Sequence, residues 1–140
     1  MTVQDIARDE VVTTQPSASI ADVAATMREE NVGCVVVAED GRPTGVVTDR
    51  DVALRIVADG ESPEEMTAGD VMTGDPATIP TDAGVFELTE AMSAAAVRRM
   101  PVVDDGGSLA GIVTLDDLNR LLVDEMGELA DVVEAESPPY

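Results

Sequence analysis

Two threonine–aspartate pairs have residue types and a spacing that suit ligand chemistry. Thr48 and Asp51 lie three residues apart, and Thr114 and Asp117 repeat that spacing. Each pair follows an apolar run and begins a helical pattern, where unpaired N–H groups and the positive end of the helix dipole favour phosphate. A threonine hydroxyl can donate to a ribose or phosphate oxygen, and a carboxylate can accept from ribose hydroxyls. Both pairs are therefore candidate sites for a ligand that carries ribose and phosphate.

The two pairs belong to an internal repeat that spans most of the chain. Residues 45–51 (GVVTDRD) return as residues 111–117 (GIVTLDD). Upstream, a shift of 65 residues relates Asp5 to Asp70, Thr13 to Thr78, Met27 to Met92, Val32 to Val97, Val37 to Val102 and Gly41 to Gly106. One inserted residue in the turn at 105–108 changes the shift to 66 for the final motif. Such a duplication predicts two equivalent sites instead of one active site.

Hydrophobic patterning predicts the same order of elements in each half. Short β-branched or apolar runs predict strands, and apolar residues spaced by three or four predict amphipathic helices. The predicted strands are 11–14, 34–38, 44–48, 77–79, 100–104 and 110–114, and the predicted helices are 19–30, 49–58, 82–94 and one from 116 onward. Each half reads strand–helix–strand–strand–helix, which predicts an α/β fold.

This order also predicts the division of the chain. Residues 1–60 are expected to form the first repeat, 61–125 the second, and 126–140 a C-terminal helical extension and tail. Residues 61–67 read as a polar connector between the repeats. Pro138 and Pro139 should end the last helix, because proline cannot continue the helical hydrogen-bond pattern.

The charge composition is extreme and evenly spread. The chain has a net charge of −21, with 29 acidic residues and eight basic ones, every one of which is arginine. Dispersed acidity without lysine resembles the composition of proteins from extreme halophiles, where molar salt shortens the Debye length to about 3 Å and screens self-repulsion. The same charge argues against nucleic-acid binding, because no basic stripe exists to meet phosphates.

The remaining composition excludes several other classes of protein. The chain has no histidine, and its single cysteine, Cys34, can neither form an internal disulfide nor supply a metal site. No serine nucleophile elbow or cysteine–base pair is present, so we expect neither catalysis nor a metal centre. No apolar run is long enough to span a membrane, and the first residues lack a secretory pattern, so we expect a cytoplasmic protein without membrane attachment.

The pattern resembles a tandem pair of CBS domains, named for cystathionine beta-synthase and often called a Bateman module. The resemblance covers roughly residues 1–122 and rests on the two Gly-h-x-Thr-x-x-Asp signatures, on Met72-Thr73-Gly74-Asp75-Pro76 and on residues 97–104 (VRRMPVVD). It implies two β-α-β-β-α repeats packed about a pseudo-two-fold axis. Two clefts would lie between them, which in many members bind AMP, ADP, ATP or S-adenosylmethionine.

The resemblance also implies roles for individual residues. Asp51 and Asp117 would hold ribose, the two threonines would face ribose or phosphate, and Arg98 or Arg99 would face phosphate. The candidate ligand-binding residues are Thr48, Arg50, Asp51, Arg98, Arg99, Met100, Pro101, Thr114 and Asp117.

Structural explanations compete with these roles. An aspartate in the first turn of a helix is favoured by the dipole alone. Arg50 could be a solvated surface cation, Met100 and Pro101 could pack as strand residues, and Cys34 is expected to be a small core residue.

The two clefts are expected to differ. In the family, each cleft combines the Thr-x-x-Asp of one repeat with the middle strand of the other. The first cleft would then hold up to three cations, and the second would join Thr114 and Asp117 to residues 33–35 and lack cations. Val36 also replaces the strand proline whose equivalent is Pro101, which again implies unequal clefts. The second cleft should prefer an uncharged or cationic ligand, or stay empty.

Three functional hypotheses follow. The first is a regulatory sensor module that binds an adenosine-containing ligand without any resident cofactor and acts in trans on an unidentified protein target. The second is a ligand-free scaffold or dimerisation module, and the third is a small enzyme with an unrecognised site. The resemblance implies a homodimer in which the Val52, Ala53, Ile56 face and the Leu118, Leu121, Leu122 face supply surfaces.

Overall fold

The computed structural model describes residues 1–137, and the predicted helix stop at Pro138 and Pro139 lies outside them. The strands are β1 Thr13–Thr14, β2 Cys34–Glu39, β3 Arg42–Thr48, β4 Thr73–Gly74, β5 Ile79–Pro80, β6 Arg99–Val103 and β7 Leu109–Thr114. The helices are α1 Ile20–Glu30, α2 Asp49–Val52, α3 Ala68–Val71, α4 Val85–Ala95 and α5 Leu115–Glu136. A 3-10 turn at Val3–Asp5 precedes β1, and a π-helical turn at Ala53–Val57 continues α2.

The strands form two sheets of the same design. One sheet has the order β1-β2-β3-β4 and the other β5-β6-β7. In each, a short first strand runs parallel to the middle strand, and a hairpin then brings the next strand back antiparallel. Both hairpins carry a register shift at matching positions, after Val37 and after Val102. The predicted α/β fold and its two repeats are therefore confirmed.

Each sheet packs against its own helices around a separate apolar core. The first core includes Ile20, Val23, Met27, Val35, Val37, Val47 and Ile56. The second includes Ile79, Leu88, Met92, Met100, Val102, Val113 and Leu118. The repeated apolar positions of the sequence, such as Met27 and Met92, therefore occupy equivalent places in the two cores.

The segment that leads into each repeat packs against the other repeat. Val3 is fully buried in the second core, and Ala68 and Val71 are fully buried in the first. The backbone of Arg8 exchanges hydrogen bonds with Ile112 of β7 (2.9 and 3.0 Å), and β4 pairs with β3 in the corresponding way. Residues 3–8 and 68–74 are therefore exchanged segments: each belongs to one half of the chain and packs against the other half.

The glycine of each repeated motif lies where an exchanged segment crosses the sheet. A Cβ on Gly111 would come within 2.8 Å of the Arg8 carbonyl oxygen, and a Cβ on Gly45 would collide with the Met72 side chain. Neither glycine has a positive φ. Close approach of a second chain segment, not backbone flexibility, therefore explains glycine at both positions.

The structure differs from the sequence predictions in three local places. The helix predicted from residue 82 begins at Val85, because the Ala83 carbonyl accepts from Val3 N (2.8 Å) and holds the preceding residues outside the helix. Residues 53–57 form a π-helical turn instead of α-helix. Residues 68–74, which carried no strand or helix prediction, form α3 and β4 because they pack against the first half.

Candidate functional site

A cleft of about 580 Å³ lies between the first threonine–aspartate pair and the second half of the chain. The structure brings six of the nine predicted site residues to this cleft: Thr48, Arg50, Asp51, Arg98, Arg99 and Pro101. Three of these residues belong to the first half of the chain and three to the second, so both halves are needed to form the cleft.

Thr48 and Asp51 are held by the start of α2. Thr48 is the N-cap residue, and its backbone N–H donates to Asp51 Oδ2 (2.9 Å) while Asp51 N donates to Thr48 Oγ1 (3.2 Å). This reciprocal pair is a capping box, which satisfies two helix-terminal donors. Within residues 1–137 the side-chain hydrogen bonds of Asp51 use Oδ2, which leaves Oδ1 for a ligand.

The opposite wall is supplied by the junction between α4 and β6. α4 ends where Ala96 adopts a left-handed conformation, and the chain then turns into β6 through Arg98 and Arg99. Side chains alternate across a strand, so Arg99 and Pro101 face the cleft while Met100 points into the second core, where it is fully buried. The structure thus places Met100 in strand packing and not in the cleft.

Charge in the cleft is balanced, in contrast to the chain as a whole. Its lining includes three arginines and three aspartates, the latter being Asp49, Asp51 and Asp75. With a net charge of −21 on the chain, an anion is repelled by most of the surface. Three of the eight arginines are gathered here, so the cleft offers guanidinium groups to an anion even though its lining is neutral overall.

Gly33 and Cys34, which the sequence assigned to the second cleft, lie beside charged groups of this one. A Cβ on Gly33 would come 2.9 Å from Asp49 Oδ2 and 3.1 Å from an Arg99 guanidinium nitrogen. Cys34 pairs with Thr48 in the sheet and is buried, as expected for a small core residue. Burial raises the pKa of the Cys34 thiol to about 11, and the nearby Arg99 only partly opposes that shift. The thiol is therefore protonated and unreactive at neutral pH.

The second threonine–aspartate pair has a neighbour that sequence analysis missed. Arg8 donates to Asp117 Oδ1 through its Nε (3.0 Å) and a terminal nitrogen (2.8 Å). Asp117 Oδ2 accepts from the Thr114 backbone N–H (2.9 Å) and the Thr114 hydroxyl (2.8 Å). Burial would raise the pKa of Asp117, but hydrogen bonds from Arg8 and Thr114 outweigh it and lower the pKa. The prediction that no cation lies near this pair was wrong.

The Thr-x-x-Asp spacing has a structural role wherever it occurs. Outside the cleft, Thr67 and Asp70 form the same capping box, and the Thr2 backbone N–H likewise donates to Asp5 Oδ2 (2.7 Å). Hydrogen bonds from the threonines, backbone first, lower the pKa of both Asp5 and Asp70. The spacing alone thus marks a helix start, and the surroundings of the pair decide whether it can also hold a ligand.

Three further residues of the cleft had no ligand role predicted from the sequence. Thr73, Asp75 and Pro76 line it, although they were noted only as a family-like opening motif. Their place follows from the exchange of leading segments, since β4 pairs with β3 directly before Thr48. The repeat register offered a signal for Arg8, because a shift of 65 residues relates it to Thr73.

The described residues contain neither a metal-binding cluster nor a membrane-spanning helix. Among residues 1–137, no cluster of three or more His, Cys, Asp or Glu side chains is placed to hold a metal ion. No helix within that range is both long and apolar enough to cross a membrane.

Comparison with known proteins identifies the family. The CBS domain profile matches residues 3–58 and again 68–124. An uncharacterized Methanopyrus kandleri protein, MK0525, is 37% identical over 119 residues, which is 84% of this chain and 61% of that protein. This chain therefore spans about three fifths of the length of that relative.

Two solved structures share the fold and contain ligands. The CBS domain protein PAE2072 from Pyrobaculum aerophilum, complexed with AMP, has a TM-score of 0.77 at 26% identity, covering 84% of this chain and 90% of that one. The CBS domain pair of protein MJ0100, in complex with 5'-methylthioadenosine and S-adenosyl-L-methionine, has a TM-score of 0.78 at 28% identity, covering 87% and 99%. With two matched repeats and the observed topology, this chain belongs to the CBS domain family as a tandem CBS pair.

Proposed function

We propose that this protein is a regulatory module that binds an adenosine nucleotide in the cleft between Thr48–Asp51 and Arg98–Arg99. The observation that carries the proposal is the meeting of these two groups in one cleft of about 580 Å³. A volume in that range is typical of sites for small molecules. Asp51 Oδ1 would accept from ribose hydroxyls, and the Thr48 hydroxyl would donate to a ribose or phosphate oxygen.

The charges favour a phosphorylated ligand over a bare nucleoside. Arg50, Arg98 and Arg99 all reach the cleft, and guanidinium groups form strong, directional hydrogen bonds to phosphate. The ligands of the related structures, AMP for PAE2072 and S-adenosyl-L-methionine with 5'-methylthioadenosine for MJ0100, support an adenosine moiety. AMP, ADP and ATP fit the three cations better than the cationic S-adenosylmethionine does.

We expect the module to regulate a separate protein without catalysing a reaction itself. The functional groups gathered at the cleft are hydroxyl, carboxylate and guanidinium groups, whose arrangement can bind a ligand reversibly. The cleft spans the boundary of the two repeats, so a ligand that contacts both would change how they pack. That is a means of signalling that needs no chemical step.

Exposed apolar side chains on α5 favour self-association. Leu122, Val123, Met126, Leu129, Val132 and Val133 are each at least 59% exposed. A stripe of this size on a helix marks an interaction surface, and we propose that it forms a homodimer. The predicted contact faces need correction, because Ile56 and Leu118 are buried in the cores of their own halves. A scaffold that only dimerises is the alternative function that this surface would serve.

The test is a calorimetric titration of the whole chain with AMP, ATP and S-adenosylmethionine in 2 M KCl. We use molar salt because we propose, from the charge composition, that the protein works in it. The expected result is saturable binding of AMP and ATP. When adenosine is titrated as well, Arg99→Ala should weaken ATP binding more than adenosine binding, because only a phosphate contact is lost. Absence of binding by all adenosine compounds would favour the scaffold.

A further inference from the structure

The two threonine–aspartate pairs have the same backbone arrangement. They differ in whether the aspartate Oδ1, the oxygen not used by the capping box, already accepts a hydrogen bond. Both aspartates use Oδ2 for the capping box. In the first pair Oδ1 stays available, as described above. In the second pair the same atom, Asp117 Oδ1, accepts two hydrogen bonds from Arg8. Here the Thr114 hydroxyl is engaged as well, because it lies 2.8 Å from Asp117 Oδ2.

Arg8 reaches this position because of the exchanged leading segment. Its backbone pairs with Ile112 of β7, just as Thr73 pairs with Val46 of β3. The repeat register relates Arg8 to Thr73 and Ile112 to Val46. The same backbone site therefore presents a short neutral side chain to the first pair and a long cationic one to the second.

We propose that the Arg8 side chain itself occupies the second site. Its guanidinium takes the position of the ribose hydroxyls at Asp117 and so limits the chain to one bound nucleotide. The proposal rests on the proposed function of the first cleft, which it deepens by assigning the stoichiometry. The Asp117 side chain is 9% exposed and the Arg8 side chain 55% exposed, so the guanidinium covers the carboxylate from the solvent side. A ligand would have to displace two charge-assisted hydrogen bonds that are already made.

The repeat also predicts which ligand the second site would prefer if the Arg8 side chain were removed. The positions that correspond to Arg50, Arg98 and Arg99 are Asp116, Gly33 and Cys34. Without Arg8 the second site would therefore have no arginine at these three positions, whereas the first site has three. It should accept the uncharged ribose of adenosine and bind a phosphorylated nucleotide more weakly.

The experiment exchanges the two side chains between the two sites. Adenosine and, in parallel, AMP are titrated into the whole chain in 2 M KCl, and the number of sites per chain is measured for the wild type, Arg8→Thr and Thr73→Arg. We expect one site in the wild type, two in Arg8→Thr, and at least a tenfold loss of affinity in Thr73→Arg, where the new guanidinium can reach Asp51. Arg28→Thr, an equal charge change at the exposed end of α1, should leave one site.

The outcomes separate this proposal from the proposed function. Two sites in the wild type, or no additional site in Arg8→Thr, would overturn the role of Arg8 while leaving nucleotide binding intact. No AMP site and no adenosine site in the wild type, with one adenosine site in Arg8→Thr, would overturn the function of the first cleft and support the role of Arg8. If Arg8→Thr were unfolded by circular dichroism, retention of full affinity in Thr73→Arg would itself overturn the proposal.

Discussion

Asp51 and Asp70 make the same hydrogen bonds to a threonine three residues earlier and have different surroundings. Each accepts from the threonine N–H, at 2.9 Å for Asp51 and 3.0 Å for Asp70. Only Asp51 is among the residues that line the cleft described here. A comparison of variants at Asp51 and Asp70 therefore separates the ligand role of a carboxylate from its role in a helix cap.

Asp51→Asn should weaken AMP binding by about tenfold or more, since a hydrogen bond to a charged group contributes about 1.5–3 kcal/mol. Asparagine retains a carbonyl oxygen that can accept in the cap, so stability should change little. Titration calorimetry and thermal unfolding measure the two effects. Asp70→Asn is the matched control and should leave AMP affinity unchanged; equal affinity losses in both variants would show that the effect comes from the caps.

Cys34 should be nearly inert to alkylation in the folded protein. With a pKa of about 11, roughly 0.1% of the thiol is ionised at pH 8, against roughly a quarter for an unperturbed thiol near 8.5. The thiolate is the nucleophile, so iodoacetamide labelling, followed by mass spectrometry, should be at least a hundredfold slower in the native state than in urea. The native rate should rise about tenfold per pH unit up to about 11. Equal rates in the two states would refute the buried assignment.

At the scale of elements, the two exchanged segments organise the molecule. Each leading segment adds an apolar contact and backbone hydrogen bonds to the opposite half. Arg55, in the π-helical turn, adds a further tie by donating to the Val71 carbonyl (2.7 Å). Because of this exchange, we expect the folding of one repeat to depend on the other, and the cleft takes residues from both.

Gly111→Ala should destabilise the protein by about 1–3 kcal/mol, the range for overpacking in a tight contact. The new Cβ would lie 2.8 Å from the Arg8 carbonyl oxygen, and backbone cannot move aside as a side chain can. Denaturant unfolding measures the change. Gly127→Ala, in the interior of α5 with no atom within 4 Å of its Cβ, is the control and should stabilise by about 0.5–1 kcal/mol. Full stability in Gly111→Ala would argue against the segment exchange.

At the scale of the whole molecule, charge repulsion should control stability. The chain carries a net charge of −21, and the Debye length shrinks from about 10 Å at 0.1 M salt to about 3 Å at 1 M. The melting temperature should therefore rise substantially between 0.1 M and 2 M KCl. A melting temperature that is the same at both concentrations would contradict both this prediction and the resemblance to halophile proteins.

The exposed stripe on α5 should hold two copies of the chain together. Light scattering in 2 M KCl should give twice the mass of 14.6 kDa, and Met126→Glu with Leu129→Glu should return it to a monomer. Both side chains are more than 65% exposed in the single chain, so the double variant should keep its fold. Glu128→Gln with Asp131→Asn, on the same helix, leaves the apolar stripe intact and should stay dimeric. A monomeric wild type would rule out the proposed dimer.

The sequence by itself determined the repeat, its α/β elements and the helix-start position of both threonine–aspartate pairs. These are local properties: hydrophobic period, turn residues and capping residues lie within a few positions of one another. The resemblance to a CBS pair further joined Thr48 and Asp51 to Arg98 and Arg99, and the structure brings them to one cleft.

Only the tertiary structure decided which segment pairs with which sheet, and hence what surrounds each pair. Arg8 and Asp117 are 109 residues apart, and no local pattern specifies a contact that forms when a leading segment crosses to the opposite half. The same packing placed Met100 in the core, because strand alternation reverses the direction of neighbouring side chains. Two motifs that read alike thus have different surroundings, because the segment crossing each motif carries a different side chain.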